Sequence, residues 1–333
     1  MTKWAQLAEQ VLEGKQLSDE QALAVLNSPD SELLELLQAA YKVRSHYYGN
    51  KVKLNMIINT KSGLCPENCG YCSQSIRSTA PIEKYKMMDK ESILAGAKRA
   101  YDLQAGTYCI VASGRGPSNK EIDRVTEAVK EIKENYQLKV CACLGLLKPE
   151  QAAKLKEAGV DRYNHNLNTS AGHHEQITTT HTYDERVNTV HTVKESGISP
   201  CSGVIIGMRE KKEDVVSMAR SLHALDADSI PVNFLHAIDG TPLEGTDELD
   251  PRYCLKVLCL FRLINPTKEI RISGGREVNL GSLQPLGLYP ANSIFVGDYL
   301  TTAGQETTAD HQMIEEMGFE VEFAPEQKEQ PVM

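Results

Sequence analysis

Residues 54–72, LNMIINTKSGLCPENCGYC, join a short apolar run to a loop that carries three cysteines. The run 54–60 has the length and composition of a buried strand. Gly63, Pro66 and Gly70 allow the following loop to turn sharply. Similar runs recur along the chain, so further strands are expected. The predicted strands are residues 54–60, 107–113, 139–145, 162–168, 200–207, 230–237, 270–273 and 293–297.

Helical patterns separate these runs. They cover residues 89–104, 119–136, 149–158, 183–196, 212–225 and 250–264. Strands that alternate with helices are typical of βαβ units and a parallel sheet, and about eight such strands close into a barrel. The sequence therefore predicts an α/β fold, a (β/α)8 TIM-type barrel. A doubly wound open sheet is the alternative, but no G-x-G-x-x-G fingerprint follows a predicted strand.

The barrel is expected to form one domain with additions at both ends. Residues 1–50 read as an N-terminal helical extension, residues 51–322 as the barrel and residues 323–333 as a flexible C-terminal tail. No linker rich in Gly, Ser or Pro divides the middle of the chain, which favours a single unit.

Composition excludes several classes of protein. The 333 residues include 36 Lys and Arg against 45 Asp and Glu, a formal net charge of −9. This balance argues against binding to nucleic acid through phosphate contacts. No apolar run is long enough for a membrane span, and the first residues lack the apolar run of a signal peptide. A cytoplasmic location is expected, where the nine cysteines are more typical of metal ligands, catalytic thiols or core residues than of disulfides.

The most specific motif is C-x3-C-x2-C at Cys65, Cys69 and Cys72. It follows the first strand, at the barrel face where active sites lie. A structural zinc would need a fourth ligand, and no further Cys or His lies near the motif. An iron–sulfur cube on three cysteines instead leaves one iron open to another ligand. Free thiols are the remaining alternative, and the close spacing favours the cluster.

This motif, with Tyr71 before its last cysteine, resembles that of the radical S-adenosylmethionine (SAM) superfamily. The resemblance implies that the open iron of a 4Fe–4S cluster binds the amino and carboxylate groups of SAM. An electron from the cluster then cleaves SAM to methionine and a 5′-deoxyadenosyl radical. The cofactor supplies this chemistry while the protein orients it.

Further cysteines lie on other predicted strands. Side chains alternate along a strand with period two. Each of four predicted strands therefore carries such residues on one face: Cys109 on the first, Cys141 and Cys143 on the second, Cys201 on the third and Arg271 on the fourth. These residues could meet inside a barrel. Cysteine is also a common small core residue, but a buried arginine requires a partner. Cys254 and Cys259 lie on a predicted helix and are expected in the core.

The chain resembles the biotin synthase family over about residues 40–305. The stretches that carry the resemblance are CPENCGYCSQ, TYCIVASGRGP, CACLGLL, RYNHNLNTS, SPCSGVIIGMRE, IPVNFL, GTPLE, IRISGGRE and NSIFVGDYLTT. The resemblance implies that Cys65, Cys69 and Cys72 hold the 4Fe–4S cluster. It also implies that Cys109, Cys141, Cys201 and Arg271 hold a 2Fe–2S cluster, the sulfur donor. Geometry alone does not choose between Cys141 and Cys143.

Asn164, Asn166 and Asn168 share one face of their predicted strand. The resemblance implies that Asn164, Asn166 and Asn233 contact dethiobiotin, whose ureido ring suits amide partners. An acidic residue stands at the position of Asn168 in well-known members, so SAM binding is expected to be weaker or rearranged here. By the same resemblance, the SAM contacts are Tyr71, Ala112, Asn166, Asn168, Arg186 and Ile205.

The sequence also gives expectations for Arg186 and for four histidines outside the cysteine motif. Arg186 lies on a predicted helix, so a solvated charge is the alternative to a cofactor contact. His165 is expected in the core or behind the ligands. His173, His174 and His181 are expected in a solvated loop rather than in a metal site.

The resemblance implies a sulfurtransferase that makes biotin in the last step of its synthesis. The adenosyl radical takes a hydrogen from an unactivated carbon of dethiobiotin, the carbon radical attacks a sulfide of the second cluster, and a second SAM cleavage closes the ring. Cys65, Cys69, Cys72 and Arg271 are its expected catalytic residues. A homodimer and a flavodoxin-type reductant are expected partners. Another radical SAM enzyme and a non-catalytic iron–sulfur carrier are the alternatives.

Overall fold

The computed structural model describes residues 2–246 and 249–323. Most of the predicted tail, residues 324–333, lies outside the described residues. The described strands are Lys51–Lys61 (β1), Thr107–Ala112 (β2), Lys139–Cys143 (β3), Arg162–Asn164 (β4), Ser199–Cys201 (β5), Val204–Ile206 (β6), Ser229–Phe234 (β7), Glu269–Ile272 (β8), Ser293–Phe295 (β9) and Glu320–Val321 (β10).

The strands close into a parallel barrel in the order β1-β2-β3-β4-β5-β7-β8-β9, and β9 pairs back onto β1. The short β10 extends one end of β1. The predicted (β/α)8 barrel is confirmed. The apolar runs correspond to strands because helices cover the outer face of each strand while side chains fill the interior.

The predicted strand 200–207 divides into β5 and β6. Gly203 lies at the break, where an added Cβ would sit 2.0 Å from the carbonyl oxygen of Pro231. Only glycine allows this close approach of two backbones. The amide of Gly203 is free of the strand ladder and donates to Oδ1 of Asn166, 3.0 Å away. The break therefore places a backbone donor next to a predicted site residue.

Helices surround the barrel and cover its N-terminal side. They are Lys3–Leu12 (α1), Asp19–Leu26 (α2), Leu33–Tyr48 (α3), Lys90–Asp102 (α4), Asn119–Asn135 (α5), Pro149–Glu157 (α6), His174–Ile177 (α7), Tyr183–Glu195 (α8), Lys212–Ala224 (α9), Pro251–Ile264 (α10), Arg276–Leu280 (α11) and Thr307–Glu316 (α12). Two 3-10 segments, Asp30–Glu32 and Gly281–Leu288, complete the list.

The helix α10 is buried almost throughout, because α2 and α3 of the N-terminal extension pack on it from outside. Cys254 and Cys259 on this helix are fully buried in the apolar core, as expected from the sequence. Within residues 2–246 and 249–323, none of the helices has the length and apolar character needed to span a membrane.

Candidate active site

A cavity of about 300 Å³ opens where the barrel strands end. The three-cysteine loop that follows β1 lies along its wall. All the residues predicted to hold the first cluster, SAM or the substrate line this cavity. They are Cys65, Cys69, Tyr71, Cys72, Ala112, Asn164, Asn166, Asn168, Arg186, Ile205 and Asn233.

The three-cysteine loop is held by backbone hydrogen bonds. The amide of Cys72 donates to the carbonyl of Cys69 at 3.3 Å, and the amide of Gly70 donates to the carbonyl of Ile177 at 2.9 Å. Burial raises the pKa of the Cys72 thiol to about 12, against a smaller opposing effect of nearby backbone amides. A thiolate at this position therefore needs a cation beside it, which a bound iron would supply.

The donor set suits a cluster better than a single ion. Among the described residues, no three His, Cys, Asp or Glu side chains converge as one metal ion would require. Zinc ligands converge on one atom at about 2.0–2.3 Å, whereas each cysteine of an iron–sulfur cluster binds a different iron. Three thiols of an open loop around a cavity fit the second arrangement.

The buried Glu67 ties the three-cysteine loop to the segment before α8. Its carboxylate accepts from Arg115 at 3.1 Å and lies 2.5 Å from Nδ1 of His181. Thr180 also donates to it. From His181 the contacts continue to Arg186, whose Nε lies 2.8 Å from Nε2 of the histidine. Glu67 stands inside the motif but was not among the predicted site residues.

Arg186 is buried, at 8% exposure, so the solvated alternative is wrong. Its Nη1 donates to the carbonyl of Asn166 at 2.8 Å. Asn168 has a positive φ of 68°, a conformation that asparagine tolerates better than most residues. With its amide oxygen turned toward the neighbouring donors, Asn168 accepts from the Tyr71 hydroxyl at 2.5 Å and from Arg186 at 3.2 Å. One oxygen of Asn168 thus serves two protein donors.

The predicted strand 162–168 ends at Asn164, yet the asparagine row still lines the cavity. Asn164 donates to Oδ1 of Asn166 at 2.9 Å. Asn233 on β7 donates to the carbonyl of Val204 and accepts from the amide of Gly274, both at 2.9 Å. These bonds fix the three amides predicted to face the substrate.

A second cavity of about 150 Å³ lies deeper in the barrel. Cys109, Cys141, Cys143 and Arg271 line it. Cys109 and Cys201 are both within hydrogen-bonding reach of Cys141. The cysteines of three separate strands therefore meet at one place, next to Arg271.

The strand register explains the contact between Cys109 and Cys141 and places Asn164 beside Cys201. Paired residues of a parallel sheet point to the same side. Cys109 pairs with Cys141, and Asn164 pairs with Cys201. Nδ2 of Asn164 lies 3.2 Å from the Cys201 sulfur.

Cys143 lies one step nearer the barrel mouth and lines both cavities. Its thiol donates to Oδ1 of Asn164 at 3.3 Å, and burial raises its pKa to about 12. The two cysteines of the Cys-Ala-Cys sequence thus have different strand partners: Cys141 pairs with Cys109, and Cys143 pairs with Val111.

Arg271 has the buried partner that its charge requires. Its Nη2 donates to the Glu269 carboxylate at 2.7 Å, and both side chains are 2% exposed. Arg162 reaches the same carboxylate at 2.8 Å. Glu269 stands two residues before Arg271 and so shares its strand face, a signal that the sequence analysis did not use.

The histidine-containing segment after β4 corrects a prediction. His173, His174 and His181 are all buried, not solvated. His173 bonds the carbonyl of Met208 at 2.9 Å, and His174 bonds the carbonyl of His181 at 3.0 Å. Each ring has at least one buried partner, a backbone carbonyl for His173 and His174 and the Glu67 carboxylate for His181, so this polar segment folds inward. His165 is buried, as expected.

Comparisons with known proteins agree with this geometry. Residues 60–222 match the Radical SAM superfamily model, and residues 231–320 match the Biotin and Thiamin Synthesis associated domain. The biotin synthase of Geobacillus kaustophilus is 77% identical over 325 residues, 98% of each chain. The biotin synthase of Bacillus subtilis is 70% identical over 328 residues, again 98% of each chain.

Solved structures share the fold at low sequence identity. Methylornithine synthase (PylB) superposes with a TM-score of 0.81 at 24% identity, over 95% of this chain and 97% of that one. The FeFe-hydrogenase maturase HydG from Carboxydothermus hydrogenoformans also gives 0.81, at 16% identity, over 97% of this chain and 80% of that one. Identity of at least 70% over nearly the full length is decisive: the chain belongs to the biotin synthase family of the radical SAM superfamily.

Proposed function

We propose that the chain is a radical SAM sulfurtransferase that converts dethiobiotin to biotin. One observation carries the proposal. A three-cysteine loop lines the cavity at the barrel mouth, and Cys109, Cys141 and Arg271 line a second cavity in the same barrel, where Cys201 contacts Cys141. A carrier of a single cluster has no use for the second set. A radical SAM enzyme that inserts sulfur needs a source of sulfide, which a cluster on the second set would supply.

Cys65, Cys69 and Cys72 are the proposed ligands of a 4Fe–4S cluster. Cys109, Cys141, Cys201 and Arg271 are the proposed ligands of a 2Fe–2S cluster. When bound, the first cluster with SAM supplies the 5′-deoxyadenosyl radical and the second supplies sulfide. The protein contributes thiolates at fixed positions, and the strand register fixes those of the deeper set.

The substrate is proposed to lie between the two cavities. Asn164, Asn166 and Asn233 line both of them. Each amide offers a donor and an acceptor, which matches the N–H and C=O groups of a ureido ring. This position would hold the reacting carbons between the radical source and the sulfur source, where orientation lowers the barrier.

SAM is proposed to lie along Tyr71, Ala112, Asn166, Asn168, Arg186 and Ile205. The buried Arg186 would supply a positive charge for the carboxylate of SAM, and His181 and the carbonyl of Asn166 hold its guanidinium in place. Residues 1–50 are proposed as a helical extension and residues 51–322 as the catalytic barrel.

The proposal also covers the oligomeric state, the electron donor and the location of the protein. The resemblance to the family supports a homodimer that receives electrons from a flavodoxin-type reductant in the cytoplasm. The nine cysteines, all unpaired in the structure, are suited to a reducing compartment.

Anaerobic incubation with dithionite, SAM and dethiobiotin tests the proposed activity. Biotin should form, and 5′-deoxyadenosine should form in amounts that depend on dethiobiotin. Formation of 5′-deoxyadenosine without any dependence on dethiobiotin would indicate a radical SAM enzyme with another substrate. Absence of 5′-deoxyadenosine would indicate a carrier.

A further inference from the structure

A buried carboxylate lies beside Arg271, which lines the deeper cavity. Glu269 contacts the guanidinium groups of Arg271 at 2.7 Å and Arg162 at 2.8 Å. Lys53 lies 3.5 Å from it and 3.7 Å from a second carboxylate, that of Glu322. The Glu269 carboxylate is thus the common partner of three cationic side chains.

The contacts of Arg271 are confined to one side of its guanidinium. Nη2 donates to Glu269 and, at 2.9 Å, to the hydroxyl of Ser229. Nε donates to the hydroxyl of Ser293 at 3.3 Å. The flat group also packs over the ring of Phe295, 5.0 Å from its centroid. The hydrogen bonds found within the described ranges leave Nη1 for the cavity that Arg271 lines.

Glu269 is itself held from the opposite side. Arg162 binds its second oxygen, and the Ser229 hydroxyl donates to the first at 3.0 Å. Ser229 therefore bridges the carboxylate and the arginine. Glu269 and Arg271 lie on one face of β8 and share the Ser229 hydroxyl, so the Arg271 guanidinium has little rotational freedom. Its remaining nitrogen, Nη1, therefore points in a defined direction.

We propose that Glu269 is a positioning residue for the second cluster: with Ser229 it fixes Arg271 so that Nη1 points into the deeper cavity. This inference deepens the proposed function and rests on it. Loss of the Glu269 charge would release the guanidinium from its fixed orientation, so that its free nitrogen would no longer be positioned for the cluster. A merely structural ion pair would lower the stability of the fold without a selective effect on the second cluster.

Glu269→Gln tests the proposal, because glutamine keeps the shape of the side chain and removes the charge. Wild type and variant are reconstituted anaerobically with iron and sulfide. Iron and sulfide per chain are then measured with Mössbauer spectra, which separate the two cluster types. We expect the variant to hold at least threefold less 2Fe–2S cluster and an unchanged amount of 4Fe–4S cluster.

Asp310→Asn is the matched control. Asp310 is fully buried and pairs with the buried Arg276 at 2.7 Å, but it does not line the deeper cavity. This variant should lose thermal stability and retain both clusters. Equal loss of the second cluster from both variants would assign Glu269 a merely structural role and overturn the proposal.

Glu269→Asp keeps the charge and shortens the side chain, so it cannot reach Arg162 and Arg271 together. It decides the matter if the glutamine variant does not fold, and its second cluster should be partly lost or spectrally altered. A folded variant of either kind with the wild-type amount and spectrum of the second cluster would overturn this inference alone. A wild-type protein that binds no second cluster would overturn the proposed function with it.

Discussion

Cys109 lies directly opposite Cys141 on the neighbouring strands β2 and β3, and both side chains are buried inside the barrel. Cys201 approaches the same thiol from β5. Residues far apart in the sequence therefore form one cluster-sized group, although Arg162 pairs with both Cys141 and Ser199, so that Cys201 is offset by two residues along its strand. This relationship separates Cys141 from Cys143, which the sequence pattern leaves equivalent.

Replacing these two cysteines separately should give opposite results. Cys141→Ala should abolish the second cluster, because it removes the thiol that contacts both Cys109 and Cys201. Cys143→Ala should retain it, since that thiol lies at the level of Val111 and contacts Asn164. Iron per chain after anaerobic reconstitution measures both outcomes. Loss of the cluster only in Cys143→Ala would reverse the assignment.

Asn168→Asp should strengthen SAM binding. The single amide oxygen of Asn168 is shared between Tyr71 and Arg186, whereas a carboxylate offers two oxygens and stronger charge-assisted bonds. The gain should be about fivefold in Kd, from about 1 kcal/mol of added hydrogen bonding. Equilibrium binding of SAM to the reconstituted, oxidised protein measures it, with Asn166→Asp as the control, which should not improve binding. Unchanged or weaker binding in Asn168→Asp would contradict the prediction.

Glu67→Gln should loosen the three-cysteine loop. The variant loses the charge that binds Arg115, Thr180 and His181, and a buried polar group without its partners costs about 1–3 kcal/mol. Chemical unfolding should show a loss of this size. Asp123→Asn serves as the control, since its ion pair with Lys154 is more than half exposed on each side chain and such pairs contribute at most about 1 kcal/mol. Similar small losses in both variants would exclude a bracing role for Glu67.

The protein should lose stability as the pH falls into the mildly acidic range, because the His165 ring is buried in its neutral form. Burial, with smaller effects of Arg186 and His181, holds the pKa of His165 well below its ordinary value near 6.5. The folded state therefore binds its proton less readily than the unfolded state. The stability contributed by the neutral ring is complete above about pH 6.5 and is lost as the pH falls from there toward the folded-state pKa.

Urea unfolding of wild type and His165→Gln at pH 7 and pH 5.5 measures this effect. The wild type should lose about 1 kcal/mol more than the variant between the two values, because each pH unit in this window changes the free energy of unfolding by up to about 1.4 kcal/mol. His191→Gln, at an exposed position, should respond to pH as the wild type does. Equal losses in wild type and His165→Gln would show that the buried ring does not titrate in this range.

The sequence predicted the barrel well for a physical reason. Buried parallel strands appear in the sequence as short apolar runs, and each of the eight predicted runs overlaps a strand of the structure. The break at Gly203 was not predicted, since a close approach to the backbone of Pro231 depends on tertiary packing. The two-residue strand Glu320–Val321 is too short to give a pattern.

The site was predicted only as far as single residues carry signals. The spaced cysteines and the asparagine row line the cavities where expected. The burial of His173 and His174 was missed, because backbone carbonyls that satisfy polar rings leave no mark in the sequence. The contacts of Glu269 with Arg162 and Arg271 join strands that are distant along the chain, so only the fold reveals them.

The barrel is proposed to hold two separate cluster sites, one at its mouth and one below. The amounts of iron and sulfide per chain in the anaerobically reconstituted wild type distinguish two sites from one. About six iron atoms per chain are expected, from one 4Fe–4S and one 2Fe–2S cluster, and about four in Cys201→Ala. About four iron atoms in the wild type, unchanged in Cys201→Ala, would contradict the proposal of two sites.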